Sequence, residues 1–456
     1  MSQLLQRCLS RLRRSRPSKI HPVTLFQPPP KPYLVLLPNE ILHIIFELLN
    51  LEGESRKPLL ELALTCRALW ELSRVYIPKD VTLFAHSTNP TYTLFERSIL
   101  ADAAYAENVK SLVFESKKKK DSEEDEEVDI PAEKIASILK CLPALTTLNL
   151  NGLPHNHIKP ALFDEQHPFR SCLGKLDIPG GLTVPQVAEL IGYPAIRKWR
   201  FWRLGDFDCY DEFPDVDDIY LKELSFENSM IAKPLFDNVL KRCRNLKMLE
   251  CNLPFSKMAE KSTVTEAQID EVFSAAQISK SLEWVKETLT KLQLQSHGQA
   301  WKGEDETSLD LSDWPELMNV ELSALCLFSP LSKTVSRDGS YKLFPRSTET
   351  IKIHFPTNGF GIFFSAGDGK INAEEYSRFL FNGAGAVDAH WIHEFALNKA
   401  TALPNLREFI LYEDITSPGE EDYESQDWTI PSYLKSAFDD AQISLSVALR
   451  KNATKT

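Results

Sequence analysis

The sequence predicts an α/β protein in which short parallel strands backed by helices stack as an irregular solenoid behind a small N-terminal helical unit. Three observations carry this. A six-residue apolar pattern recurs ten times, at intervals of 23 to 28 residues among its clearest copies. Helix-like stretches separate several of those copies. Two amphipathic segments follow a proline-rich linker, and such regular punctuation is what a repeat architecture leaves in a sequence. With 43% hydrophobic and 25% charged residues, the 456-residue chain has ample material for a core.

The chain opens on a basic tail over 1–33. No acidic residue precedes Pro38, whereas Arg7, Arg11, Arg13, Arg14, Arg16, Lys19 and Lys31 do, and Pro28, Pro29, Pro30 and Pro32 stiffen its end. Leu4, Leu5, Cys8, Leu9 and Leu12 fall at helical spacing within it, a pattern shared by organelle presequences, nuclear signals and solvated tails. A helical unit over 34–80 follows. Pro38 suits a helix start, and Ile41, Leu42, Ile45, Leu48 and Leu49 recur at three and four. A second helix is expected over 59–75, where Leu60, Leu64, Ala68 and Leu72 repeat at four.

The repeats begin near residue 105 and run to 411. Leu145-Thr-Thr-Leu148-Asn-Leu150 recurs from Leu173, Ile196, Leu221 and Leu246, with weaker copies from Leu289, Leu317, Thr348 and Leu406 and an opener at Val109. The fourth and sixth residues fall on one face of a short strand, because strand side chains alternate, and the first turns in from the preceding bend. Helices are expected between copies, over 131–142, 185–191, 234–243 and 265–285. A charged run over 117–128 reads as a solvated insertion, and 412–456 as an acidic loop followed by a helix over 431–449. A generic α/β sheet is the alternative architecture.

Two resemblances follow from these residues. Leu37-Pro38-x-Glu40-Ile41-Leu42, then Leu60-x-Leu62-x-Leu64-Thr65-Cys66-Arg67-x-Leu69-Trp70, is similar to the F-box motif over 36–78, with a longer segment between its helices. That resemblance implies an apolar surface for a Skp-type adaptor and, through it, a cullin. Leu37, Pro38, Ile41, Leu42, Ile45, Cys66, Leu69 and Trp70 match it. The repeats resemble the leucine-rich-repeat family, though Leu153 and the residue at 229 stand where that family has Asn or Cys. Together the two look like the substrate-receptor class of F-box proteins, which implies a protein target met by the residue between the inward positions: Asn149, Asp177, Arg200, Ser225, Glu250, Gln293, Glu321 and Lys352.

Charge and motifs agree with a binding role. The formal charge of −12 opposes general affinity for nucleic acid or an anionic membrane. Eight cysteines without a C-x-x-C pair suit a cytoplasmic or nuclear setting. No catalytic residue, metal or cofactor is expected. The calcium-loop mimic over 368–375 has Phe364 and Ala366 where oxygen ligands belong, and His390 and His393 lack an assignable third ligand. A repeat scaffold outside any ligase, or an enzyme with an unrecognised site, are the competing readings.

Overall fold

The computed structural model describes residues 37–51, 67–73, 79–84, 91–115, 131–153, 157–158, 162, 167–179, 182, 186, 189–190, 193–202, 219–227, 233–252, 275–295, 307–328, 337–355, 362, 389–413 and 423–452. The chain divides into two units, Met1–Ile77 and Pro78–Thr456. In the first, helix α1 (Asn39–Leu51) stands where the periodicity placed it, and α2 (Arg67–Ser73) is the described part of the second expected helix, whose residues 59–66, Cys66 among them, and 74–75 lie outside the described residues. Pro38 starts α1: its carbonyl accepts from the amides of Ile41 and Leu42 at 3.0 and 3.1 Å.

The second unit is a 13-stranded sheet, and its strands run in chain order except that the last two exchange places. The strands are β1 (Asp80–Phe84), β2 (Ser111–Glu115), β3 (Thr147–Asn149), β4 (Lys175–Pro179), β5 (Lys198–Trp202), β6 (Glu223–Glu227), β7 (Met248–Asn252), β8 (Lys291–Gln295), β9 (Asn319–Ser323), β10 (Thr350–Phe355), β11 (Glu408–Glu413), β12 (Tyr423–Asp427) and β13 (Ser444–Asn452). Twelve are parallel; β12 pairs antiparallel with β13 at the edge. The helices that alternate with them are α3 (Thr91–Ala101), α4 (Ala103–Asn108), α5 (Ala132–Lys140), α6 (Lys233–Arg242), α7 (Ala275–Leu282), α8 (Ala324–Leu327), α9 (His390–Leu397), α10 (Lys399–Ala402) and α11 (Ser432–Asp440). Short parallel strands backed by helices in sequence order make this an α/β solenoid of leucine-rich-repeat type.

All ten copies of the apolar pattern are strands. Their fourth residues, Leu112, Leu148, Leu176, Trp199, Leu224, Leu249, Leu292, Val320, Ile351 and Phe409, form one continuous row and are all buried. Each such side chain contributes roughly 1.5–3 kcal/mol by leaving water. Adjacent copies are also stitched at the bend before the strand. The carbonyl of the second residue accepts two amides from the next copy, as when Arg197 accepts from Lys222 at 2.8 Å and Glu223 at 3.0 Å. The same double acceptance recurs at Lys79, Lys110, Thr146, Gly174, Lys222, Lys247, Thr290, Met318 and Glu349. This backbone ladder registers the repeats without the side-chain ladder of the strict family; Leu153, at its expected position, is buried core.

Three strands are corrections to the sequence reading. β1 falls where the helical unit was expected to end, and β12 and β13 lie within the expected acidic loop and final helix. That helix stops at Asp440 because Gln442 turns left-handed, with φ at 54°, while its amide bonds the Asp439 carbonyl and the Ile443 amide reaches back to Phe438. This arrangement is a helix stop signal normally written with glycine. The chain then re-enters the sheet, pairing Leu445 with Phe409 and Val447 with Leu411. The charged run at 117–128 and the calcium-loop mimic lie outside the described residues, as does much of the expected helix at 185–191. Among the described residues no helix is long and apolar enough to cross a membrane.

Candidate binding surfaces

Each unit carries one surface that its own packing leaves unexplained. In the first unit, Leu42, Phe46 and Leu69 are buried and form its core. The opposite side of α1 is apolar as well. Leu37 just before it, then Ile41, Ile44 and Leu48, are 36%, 43%, 53% and 43% exposed, and spacings of four, three and four place them on one stripe. A helix in water ordinarily turns a polar face outward, so a contiguous apolar stripe marks a contact surface.

This partition divides the expected set by exposure. Pro38 is exposed with Leu37 and Ile41, and Ile45 is half-buried, whereas Leu42 and Leu69 are buried in the unit's own core. Ile44 and Leu48 belong to the stripe and were not assigned to it from the sequence. Trp70 lies on α2, with its side chain outside the described residues.

In the second unit, the eight residues expected to meet a target occupy a single cross-strand row on the sheet face opposite the core. Asn149 pairs with Asp177, then follow Arg200, Ser225, Glu250, Gln293, Glu321 and Lys352. The row continues into Val113 at one end and Ile410 at the other. Its exposure is uneven, another departure from expectation: Arg200 is exposed, but Asp177 and Ser225 are 3% and 5% exposed. Both inward-held groups are tied to neighbours. Lys175 Nζ lies 3.2 Å from Asp177 Oδ2, and Ser225 donates to Glu227 Oε1, which also pairs with Arg200 Nε at 2.9 Å.

Further along the row the polar groups gather around Glu321. Its Oε1 accepts from Gln295 Nε2 at 2.8 Å, lies 2.8 Å from His354 Nε2 and is within 3.4 Å of the Tyr412 hydroxyl. Tyr412 also contacts His354 Nε2, with its ring edge-on to the imidazole. Parallel register builds the cluster, because His354 and Tyr412 pair directly across β10 and β11. His354 and Tyr412 were missed by the sequence reading because they stand two residues beyond the row that the repeat pattern singles out.

The two glutamates of this face respond oppositely. Burial pushes the Glu250 carboxyl above its usual range, and the nearby Glu227 charge adds to it. Burial acts on Glu321 too, but the hydrogen bonds from His354 and Gln295 outweigh it and hold that carboxyl low. The signs for stability follow. Glu321 contributes stability above the ordinary carboxylate pKa, and this is lost as pH falls through its lowered folded value. Glu250 costs stability above its raised folded pKa, and the cost is relieved as pH falls through that value. At pH 7, Glu321→Gln should lower the stability by about 1–2 kcal/mol, and Glu250→Gln should raise it by less than about 1 kcal/mol. Urea midpoints at pH 7 and pH 4 check this: both differences should shrink at the lower pH, and a Glu250→Gln midpoint below wild type at pH 7 would contradict it.

The face offers ion-paired and hydrogen-bonding groups for recognition. Described cysteines are poorly suited to covalent chemistry: burial pushes the Cys243, Cys251 and Cys326 thiols up to about 12, and those of Cys141 and Cys172 are also raised.

No family model matches the chain, and no curated protein matches it in sequence. Among solved structures it is similar to one described as the complex of Rad7 and Elc1 in yeast, at 12% identity and a TM-score of 0.35, over 84% of this chain and 91% of that one.

Proposed function

We propose that the chain is the substrate-recognition subunit of a Skp/cullin/F-box type ubiquitin ligase. Its first unit docks on a Skp-type adaptor, and its repeats hold a protein target. The observation that carries the reading is the exposed stripe of Leu37, Ile41, Ile44 and Leu48 on a helix whose other side already packs a core. Covering four half-exposed aliphatic side chains is worth on the order of 1 kcal/mol each, enough to favour a specific complex once a partner supplies the matching groove.

The mixed charges of the sheet face suit a protein target better than a polyanion, since Lys175, Arg200 and Glu321 are matched locally by Asp177, Glu227 and His354. The chain performs no chemistry in this reading; it raises the effective concentration of a target lysine near ubiquitin carried by other subunits. The cytoplasm or nucleus is the setting such an assembly requires.

The experiment is complex formation between the purified full-length chain and a Skp-type adaptor, followed by addition of a cullin. A 1:1 adaptor complex that recruits cullin supports the ligase reading. Adaptor binding without cullin favours a scaffold role outside a ligase, and no adaptor binding by folded protein overturns the proposal.

A further inference from the structure

The turn before the Ser340–Leu343 3-10 helix brings Asp338 to two side chains at α9 that are remote from it in sequence, and all three are of metal-ligating type. Asp338, His390 and Glu394 each offer one ligand atom, and these atoms lie within 4.8 Å of one another. His390 Nδ1 is 3.0 Å from Asp338 Oδ1, across 52 residues of chain. His390 and Glu394 are four apart on α9, hence on the same face of that helix. Glu394 accepts the Gly339 amide through Oε2, which ties the helix to the turn that carries Asp338. Gly339 itself is left-handed at φ 78°, a conformation glycine adopts without strain, and this turn brings Asp338 to the helix.

The ligands sit on buried anchors. Arg337, beside Asp338, is 9% exposed; its guanidinium lies over Phe328, Phe355 and Trp391 at 5.0, 5.1 and 5.7 Å and donates to the Ile362 carbonyl. Trp391, beside His390, closes that aromatic box and is itself buried. Two of the three ligands are therefore neighbours in sequence of residues that clamp each other in the core. A site whose ligands are held by such supports costs little to organise when an ion arrives.

We infer that Asp338, His390 and Glu394 bind a borderline divalent cation of the zinc class. The donor set decides the class: an imidazole nitrogen with two carboxylates suits Zn²⁺ or Co²⁺, whereas Ca²⁺ and Mg²⁺ take oxygen ligands alone. Neighbouring ligand atoms around tetrahedral zinc lie about 3.4 Å apart, close to the His390 to Asp338 separation, and a turn of the Glu394 carboxyl brings in the third. Water completes the coordination. His393, the second imidazole of this helix, packs edge-on against Tyr433 instead. The ion would tie the turn before the 3-10 helix to α9 and so brace the repeats around β10 and β11, independently of any adaptor or target.

The test is titration calorimetry of chelator-stripped full-length protein with Zn²⁺, with Co²⁺ absorption and thermal unfolding as second readouts and Ca²⁺ as the contrasting ion. Wild type should bind one equivalent of Zn²⁺ more than Asp338→Asn or His390→Ala, show a Co²⁺ visible band that both variants lose, and gain thermal stability only with Zn²⁺ or Co²⁺. Glu394→Gln should weaken that equivalent at least tenfold. Asp338 and His390 are exposed, so these variants keep the fold. Equal stoichiometry and equal Co²⁺ spectra in wild type and all variants would overturn the inference and leave the trio as a plain ion pair, with any zinc held at the cysteines; Ca²⁺ binding that depends on the trio would overturn the assigned class.

Discussion

Replacing Ile41 and Ile44 together by Asp should reduce capture of a Skp-type adaptor more than 100-fold while leaving the folded chain intact. Both side chains are about half exposed, so the change puts no charge into the core, and charge at these positions is solvated in the free protein. In a complex the same carboxylates would be stripped of water against an apolar groove, at several kcal/mol for the pair; about 2.7 kcal/mol already corresponds to a hundredfold loss. The necessary contrast is Leu42→Asp, which puts a charge into a position 2% exposed and should unfold the first unit, so its failure to bind would say nothing about the surface. Circular dichroism and titration calorimetry on both variants separate the cases. Unchanged affinity of the Ile41→Asp, Ile44→Asp chain would mean that the stripe is not the docking face.

The difference between those two variants shows where the sequence stops being informative. Periodicity located α1 because apolar residues recur at three and four, but α1 is apolar on two sides, and period alone cannot tell Leu42 and Phe46, which face the core, from Ile41, Ile44 and Leu48, which do not. The repeats were more legible, because their pattern fixes the strand face as well as the strand. All ten copies became strands, and the fifth-position row came out in register from Asn149 to Lys352. Strands β1 and β13 escaped because their leading position holds Pro78 and Gln442 instead of an aliphatic residue. Nothing local could have found the Asp338, His390 and Glu394 trio, since its third ligand comes from across an intervening strand and lies 52 residues before the helix.

Phe409→Ala should be the most damaging single truncation at the C-terminal end of the solenoid, costing about 3–5 kcal/mol. Phe409 is fully buried at the fourth position of its repeat copy and its ring meets aromatic side chains of both α9 and α11. Its ring stacks on Phe395 of α9 at 4.3 Å and 21°, lies parallel to Phe438 of α11 at 6.1 Å, and receives the edge of Trp391 at 6.3 Å. Removing it leaves a void bounded by aromatic groups of two helices, α9 and α11, neither of which can close it without leaving the other, and forfeits aromatic pairs worth about 0.5–1.5 kcal/mol each. Phe409→Leu keeps most of the volume and should cost far less. Because each repeat contacts mainly its neighbours, the damage should stay local. Hydrogen exchange should report lost protection in β11 and β13 while β3 to β7 retain theirs, and denaturation should split into two transitions. A uniform loss of protection across all strands would show that the sheet unfolds as one cooperative body, in which case the ladder of shared carbonyls, and not the packing between neighbours, sets its cooperativity.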